Sequence, residues 1–256
     1  MSVLSAVVII PARYGSVRFP GKPLAPLAGK PLIQHVYEQA ARASHVQEVV
    51  VATDDERIRQ AVERFGGRAV MTNPAARSGT ERVAEAARKT DAQVIVNVQG
   101  DEPLVQPDMI DQLVDFLTVH PAVPMASLMK HLERQEDFAS PHVVKVVVDR
   151  DGFALYFSRS PIPYERRDLA KTPSLGLAPV WQHLGLYGYQ RHFLLQFPHL
   201  DPTPLEQVEQ LEQLRALEHG HRIKLLETVH DTIGVDTPDG LKRVEQLLSG
   251  IGDRKT

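Results

Sequence analysis

The apolar run Ala6 to Ile10 ends directly in a basic, glycine-bearing loop that reads Pro-Ala-Arg-Tyr-Gly-Ser-Val-Arg-Phe-Pro-Gly-Lys from Pro11 to Lys22. A run of that length suits a buried parallel strand and is too short to span a membrane. In open α/β sheets ligands gather outside the carboxyl ends of the strands, and small residues there let backbone N–H groups approach phosphate oxygens. Arg13, Arg18 and Lys22 add positive charge that a core would not accommodate. Surface loops that bind nothing share this composition, so the loop alone fits a phosphate cradle and a plain surface turn equally. Its spacing matches neither the Walker pattern nor the Gly-x-Gly-x-x-Gly fingerprint.

The first half of the chain alternates strand-like and helix-like segments, which predicts a mostly parallel sheet flanked by helices. The pattern places strands at Ala6–Ile10, Glu48–Ala52, Arg68–Met71 and Gln93–Val98, with helices over Pro31–Ala43, from Asp54 or Asp55 to about Phe65, from Ser78, and over about Pro107–Val119. Ser78 with Glu81 three residues on reads as a capping box. The second half is mixed. Val143–Asp149 and Phe153–Phe157 form a hairpin around Arg150-Asp151-Gly152, and His183–Tyr189 and Arg222–Leu226 read as further strands. Pro161 to Pro179 is an ordered excursion or a flap. Thr203-Pro204-Leu205-Glu206 starts a helix with Leu205, Val208, Leu211, Leu214 and Leu217 as its buried stripe, and Gly220 ends it. Thr237-Pro238 opens a last helix to about Leu248.

Composition narrows the function. With 29 Lys and Arg against 32 Asp and Glu the formal net charge is -3, so the basic excess that polymeric nucleic acid requires is absent. There is no Cys, which removes thiolate catalysis, zinc thiolates and disulfides together. The eleven histidines form no zinc motif, and no Gly-x-Ser-x-Gly elbow occurs. The first apolar run lacks a basic leader, and a cytoplasmic protein without membrane insertion is expected.

Two carboxylates stand out. Asp101 follows Val94-Ile95-Val96-Asn97-Val98-Gln99-Gly100 at the end of a central strand, where a Mg²⁺ ligand would sit, since Mg²⁺ takes one or two carboxylates and completes its shell with water and phosphate. It equally fits a turn before Pro103. Asp236, in Gly234-Val235-Asp236-Thr237-Pro238, fits a second ligand or ordinary helix capping. The cap at Ser78 also leaves free N–H groups for an anion or a polar base, so the two readings are compatible there.

Taken in order, Ile10-Pro11-Ala12-Arg13-Tyr14, Pro20-Gly21-Lys22-Pro23-Leu24, Ser78-Gly79-Thr80-Glu81-Arg82, Asn97-Val98-Gln99-Gly100-Asp101-Glu102-Pro103, Tyr156-Phe157-Ser158-Arg159, His183-Leu184-Gly185 with Tyr187-Gly188-Tyr189, Leu211-Glu212-Gln213-Leu214-Arg215 and Gly234-Val235-Asp236-Thr237-Pro238 resemble the 3-deoxy-manno-octulosonate (Kdo) cytidylyltransferases. The resemblance covers about residues 5 to 248. It implies a Rossmann-like α/β nucleotidyltransferase fold, with a mostly parallel central sheet flanked by helices and a smaller mixed α+β sugar-binding and dimerisation lobe. Residues 1–248 would form one domain, with about 1–120 and 228–248 binding nucleotide and about 121–227 forming the lobe, and 249–256 would be a flexible tail.

The implied reaction is CTP plus Kdo giving CMP-Kdo and pyrophosphate with Mg²⁺, the step that activates Kdo for lipopolysaccharide biosynthesis, in a homodimer. On the matching positions the resemblance assigns Pro11, Ala12, Arg13, Lys22, Ser78, Gly79, Arg82 and Gln99 to the nucleotide, with Arg13 and Lys22 on the triphosphate and Ser78 and Gln99 near the cytosine. Asp101 and Asp236 would hold the metal and, with Arg13 and Lys22, carry the chemistry. Arg159, His183, Tyr187, Glu206, Gln210 and Gln213 would line the sugar-acid pocket. An 8-amino analogue of Kdo is a second acceptor compatible with these motifs. A sialic acid is disfavoured, because that family's loop has Gly-Gly-Ser-Lys where this chain has Tyr14-Gly15-Ser16-Val17.

Overall fold

Successive side chains of a strand leave on opposite faces, and in the first strand both faces are apolar, so this strand must be covered on two sides. A computed structural model describes residues 5–15, 19–164 and 179–252. Arg18, residues 165–178 of the expected excursion and residues 253–256 of the expected tail lie outside the described residues.

The chain runs through β1 (Ala6–Ala12), a small hairpin of β2 (Pro26–Leu27) and β3 (Lys30–Pro31), α1 (Leu32–Ala40), β4 (Glu48–Thr53), α2 (Glu56–Arg64), β5 (Arg68–Met71), α3 (Gly79–Ala87) and β6 (Val94–Asn97). Next come α4 (Pro107–Val119), β7 (Met125–His131), α5 (Gln135–Ala139), β8 (Lys145–Val148), β9 (Ala154–Ser158) and β10 (Trp181–Gln190). The remainder is α6 (Arg191–Gln196), α7 (Pro204–Glu209), α8 (Gln213–Glu218), β11 (Ile223–Glu227) and α9 (Pro238–Gly252).

Among the described residues these strands build a nine-stranded sheet in the order β11-β7-β10-β6-β1-β4-β5, with β8 joined to β10 and β9 to β8. β6, β1, β4 and β5 are parallel. β10 runs antiparallel to both β6 and β7, which is where the parallel first half passes into the mixed second half. Val8 and Ile10 pack in one core with Ile33 and Val36 of α1 and Leu113 of α4. Val7 and Ile9 pack in the other with Val83 and Ala87 of α3 and Phe193 of α6. Each such Val, Leu, Ile or Phe side chain, fully buried, contributes about 1.5–3 kcal/mol before the entropy of ordering it.

The helix starts follow capping chemistry with two departures from expectation. Asp55 caps α2 by accepting from Arg57 N at 2.9 Å. Ser78 caps α3 by accepting from Glu81 N at 3.2 Å, but the Glu81 carboxylate accepts from Arg77 N at 2.7 Å, one residue before the reciprocal partner of a capping box. Pro31 precedes α1 instead of lying in its first turn, and α1 ends at Ala40.

The larger departure is the leucine stripe, expected on one helix but divided between two. Gln210 takes φ 54° and ends α7, and α8 begins at Gln213. Leu211 and Leu214 are buried, whereas Val208 is 81% exposed and Leu205 40%. Glu206, Gln210 and Gln213 therefore do not share one helix face. At the other end α9 continues to Gly252, past the expected stop at Leu248.

Candidate active site

From β1 the chain moves to β4 on one side, and it returns to β6 on the other, so the sheet changes winding direction between β1 and β6. A crevice opens outside the carboxyl ends of strands at such a point. Here it is a cavity of about 290 Å³ lined by Pro11, Ala12, Arg13, Lys22, Ser78, Gly79, Arg82, Gln99, Gly100, Asp101 and Asp236, among others. Every residue expected to bind nucleotide or metal lies on it.

Backbone constraints set its shape. Gly21 sits at φ 73°, and its N–H donates to Tyr14 O at 2.9 Å, closing the basic loop so that Lys22 turns back over the strand ends. The ends of β1 and β6 approach so closely that a Cβ on Gly100 would lie 2.8 Å from Pro11 O. Asp236 is brought from the far end of the sequence by Val235 N, which donates to Asp101 O at 2.8 Å.

The two carboxylates converge on one point. Lys22 Nζ donates to Asp101 Oδ2 at 2.5 Å and to Asp236 Oδ1 at 3.4 Å. A single cationic group thus contacts both. Two hard oxygen donors beside a phosphate-sized cleft form a donor set that Mg²⁺ accepts, with the rest of its shell left to water and phosphate. No group of three or more His, Asp or Glu that could hold a metal ion occurs among the described residues, which sets this site apart from an all-protein cage. Opposite, the first turn of α3 presents backbone N–H groups at Gly79 and Thr80 that lack intrahelical acceptors, a favourable place for an anion.

Arg82 differs from Arg13. Arg13 is exposed at the mouth, but the Arg82 guanidinium is buried and donates to Asp54 Oδ2 at 2.9 Å and to Thr72 Oγ1 at 2.5 Å. It forms the cleft wall and ties α3 to β4 and β5.

A second hollow shares Arg77 and Ser78 with the cleft and is also lined by Glu206, Gln210, Glu212 and Arg215. Glu206 is held by Arg215 in a bidentate pair, Nη2 to Oε1 at 2.5 Å and Nε to Oε2 at 2.8 Å. The Arg159 guanidinium donates to three carbonyls, of Glu209 at 2.8 Å, Pro141 at 3.0 Å and Gln210 at 3.3 Å, so none of these bonds offsets its charge. Gln213 is buried, and its Nε2 has no hydrogen-bond partner among the described residues. An unpaired buried donor costs about 1–3 kcal/mol, which a ligand oxygen could recover.

Tyr187 and His183 lie on β10, with ring centroids 5.4 Å apart. Tyr187 pairs with Asn97 at the end of β6, which leads on to Asp101. Burial foremost, then the charges of Glu212 and Glu102, raises the Tyr187 phenol, so it remains a donor. The sequence assigns no role to Arg77 or Glu212, and Glu102 reads there as a turn or supporting residue and not as a ligand. Thr80 Oγ1 donates to Glu212 Oε2 at 2.5 Å. Glu102 is buried, with one oxygen lacking a partner among the described residues, and burial reinforced by the Asp101 charge pushes its carboxyl up to about 8. Its place directly after Asp101 at a strand end was the available signal.

Burial pushes the His183 imidazole down to about 3, against about 6.5 in an unfolded chain. The unfolded chain binds a proton between those values that the folded chain does not, so stability falls as pH drops below 6.5 toward 3. At pH 5 the loss from this residue is about 2 kcal/mol. Urea denaturation at pH 7 and pH 5 should show wild type losing about that much more than His183→Gln. Equal losses would contradict a buried neutral imidazole.

Among the described residues no helix is long and apolar enough to cross a membrane. The chain matches the cytidylyltransferase family model over residues 7–223. A 3-deoxy-manno-octulosonate cytidylyltransferase of Geobacter sulfurreducens is 53% identical over 249 residues, covering 96% of this chain and all of that protein. One of Thermodesulfovibrio yellowstonii is 47% identical over 251 residues, 95% of this chain and 98% of its own. Among solved structures, a CMP:2-keto-3-deoxy-manno-octonic acid synthetase complexed with CTP superposes with a TM-score of 0.89 at 45% identity, over 96% of this chain and 99% of that one. A 4-diphosphocytidyl-2C-methyl-D-erythritol synthase from Anaerococcus prevotii shares the fold alone, with a TM-score of 0.62 at 11% identity over 96% and 97% of the two chains.

Proposed function

The chain belongs to the cytidylyltransferase family, among the 3-deoxy-manno-octulosonate cytidylyltransferases, and from that premise we propose how its cleft carries out the reaction. The enzyme transfers CMP from CTP to Kdo with release of pyrophosphate. The anomeric hydroxyl of Kdo attacks the α-phosphorus in line. A new P–O bond forms to the sugar, the α,β-bridging P–O bond breaks, pyrophosphate leaves with the electron pair, and the hydroxyl proton passes to solvent.

The observation that carries this account is the convergence of Asp101, Asp236 and Lys22 at the mouth of the β1/β6 cleft. Arg13 and Lys22 hold the triphosphate and offset charge developing on the leaving pyrophosphate. Ser78, Gly79 and Gln99, with Pro11 and Ala12, seat the nucleoside end against the start of α3. Asp101 and Asp236 would hold Mg²⁺, which when bound would supply positive charge beside the triphosphate. Arg159 takes the sugar carboxylate, and Gln213, Tyr187 and His183 take its hydroxyls. Of the sugar-acid residues, Glu206 and Gln210 line the hollow that shares Ser78 with the cleft. No covalent protein intermediate is required; positioning in the cleft does most of the work.

The same proposal has a single nucleotidyltransferase domain with a sugar-binding lobe, acting as a cytoplasmic homodimer in lipopolysaccharide biosynthesis. The exposed apolar side chains of Leu155 and Val208 on the lobe support the dimer. Pyrophosphate release from CTP and Mg²⁺ with Kdo, its 8-amino analogue and N-acetylneuraminate is the test. Kdo should turn over and N-acetylneuraminate should not. Absence of turnover with all three would overturn the assignment.

A further inference from the structure

β7 and β10 pair in register except opposite Ser127, where the ladder slips between Leu184 and Tyr187. The irregularity turns two β10 carbonyls toward one side chain. Ser127 Oγ lies 3.0 Å from Leu184 O, 2.9 Å from Leu186 O and 2.9 Å from His183 Nε2, and the residue is fully buried.

These distances set the direction of the hydrogen bond between Ser127 and His183. A hydroxyl carries a single hydrogen, and carbonyl oxygens only accept. Two carbonyls in reach commit that hydrogen to the backbone, because a buried carbonyl facing a hydroxyl oxygen without a proton between them is repelled. Toward the imidazole Ser127 Oγ therefore accepts, and Nε2 carries the hydrogen. The ring is enclosed by the edge-on Phe157 ring at 4.8 Å and by Tyr187, and no ion pair involves it among the described residues. It stays neutral, so its second nitrogen carries no hydrogen. Nδ1 has no hydrogen-bond partner among the described residues, which leaves its lone pair for a ligand.

We propose that Ser127 is a positioning residue that fixes His183 as the Nε2–H tautomer, so that Nδ1 accepts a hydrogen bond from a hydroxyl of the sugar acid. This rests on the reading of His183 as part of the sugar-acid site. It reverses the role a histidine near an acidic sugar would ordinarily be given. A bare Nδ1 repels a carboxylate and selects a donor, which leaves the carboxylate to the Arg159 guanidinium.

The full-length enzyme labelled with ¹⁵N-histidine tests this by long-range ¹⁵N–¹H correlation, with the His183 signals assigned by their loss in His183→Gln. At neutral pH wild type should show Nε2 protonated and Nδ1 unprotonated. Nδ1 should shift toward the hydrogen-bonded range when Kdo is added with a CTP analogue bearing an α,β-methylene bridge. Ser127→Ala should lose the single tautomer and raise KM for Kdo on the order of 10-fold, with KM for CTP nearly unchanged. Ser127→Thr, which keeps the hydroxyl, should restore the tautomer.

An Nδ1–H tautomer or an imidazolium in wild type overturns the proposal whatever the stability of the variants. An unchanged tautomer in Ser127→Ala overturns the role of Ser127. The expected tautomer with an Nδ1 that ignores Kdo, in an enzyme that turns Kdo over, overturns the acceptor role and places the fault in the assignment of His183 to the pocket.

Discussion

Asp101→Asn is expected to lower kcat on the order of 10²-fold or more, with the protein folded and CTP still bound. The change keeps size and shape and removes one negative charge from the point where two carboxylates meet. Asp101 Oδ2 accepts from Lys22 Nζ at 2.5 Å, and its side chain is 27% exposed against 52% for Asp236. The more enclosed charge acts in the lower dielectric and does more per unit. Asp236→Asn should therefore cost less than Asp101→Asn. Steady-state rates of pyrophosphate release for both variants, with melting temperatures as a folding control, check the order. Near-normal kcat in Asp101→Asn would remove that residue from the metal site.

The second large effect is on stability. Arg82→Met should destabilise the fold by about 3 kcal/mol, because breaking a buried pair leaves an uncompensated charge. The guanidinium is 4% exposed and is committed to Asp54 and Thr72. For a chain of this size that corresponds to a fall in Tm of roughly 6–12 °C. Replacing Asp54 with Asn in the same protein should recover part of the loss, since no bare carboxylate then remains. An unchanged Tm with a raised KM for CTP would instead make Arg82 a direct ligand of the nucleotide.

The cleft outside β1 and β6 was legible because its signals are local. An apolar run identifies β1 and β6, a carboxylate after such a run marks the mouth of a crevice, and Ser78 with Gly79 marks a helix start. What lay outside local reach was the arrangement around Gln210. Leucine periodicity from Leu205 to Leu217 favours one helix, but contacts from residues about fifty positions away end α7 early. The Arg159 guanidinium takes the carbonyls of Glu209 and Gln210, while the Glu209 carboxylate accepts from Ser158 Oγ at 2.5 Å and Arg159 N at 2.9 Å. Those bonds stabilise a left-handed Gln210 that no helical pattern predicts.

Arg82 and Ser127 show the same limit in another form. Arg82 stands in a motif that points to the nucleotide, and nothing local shows that Asp54 and Thr72 engage its guanidinium. A serine in an apolar strand carries no sign that two carbonyls and an imidazole meet across from it. Both depend on which strands are neighbours.

The central claim is that Asp101 and Asp236 together hold the divalent ion that serves CTP, with Lys22 given over to the phosphates. Crystals of the enzyme with CTP and Mn²⁺ in place of Mg²⁺ test it through the anomalous scattering of manganese. A peak bridging the two carboxylates, with Lys22 Nζ moved from them onto a phosphate oxygen, is the expected result. Bound CTP with manganese away from both carboxylates, or with Lys22 still between them, would contradict it.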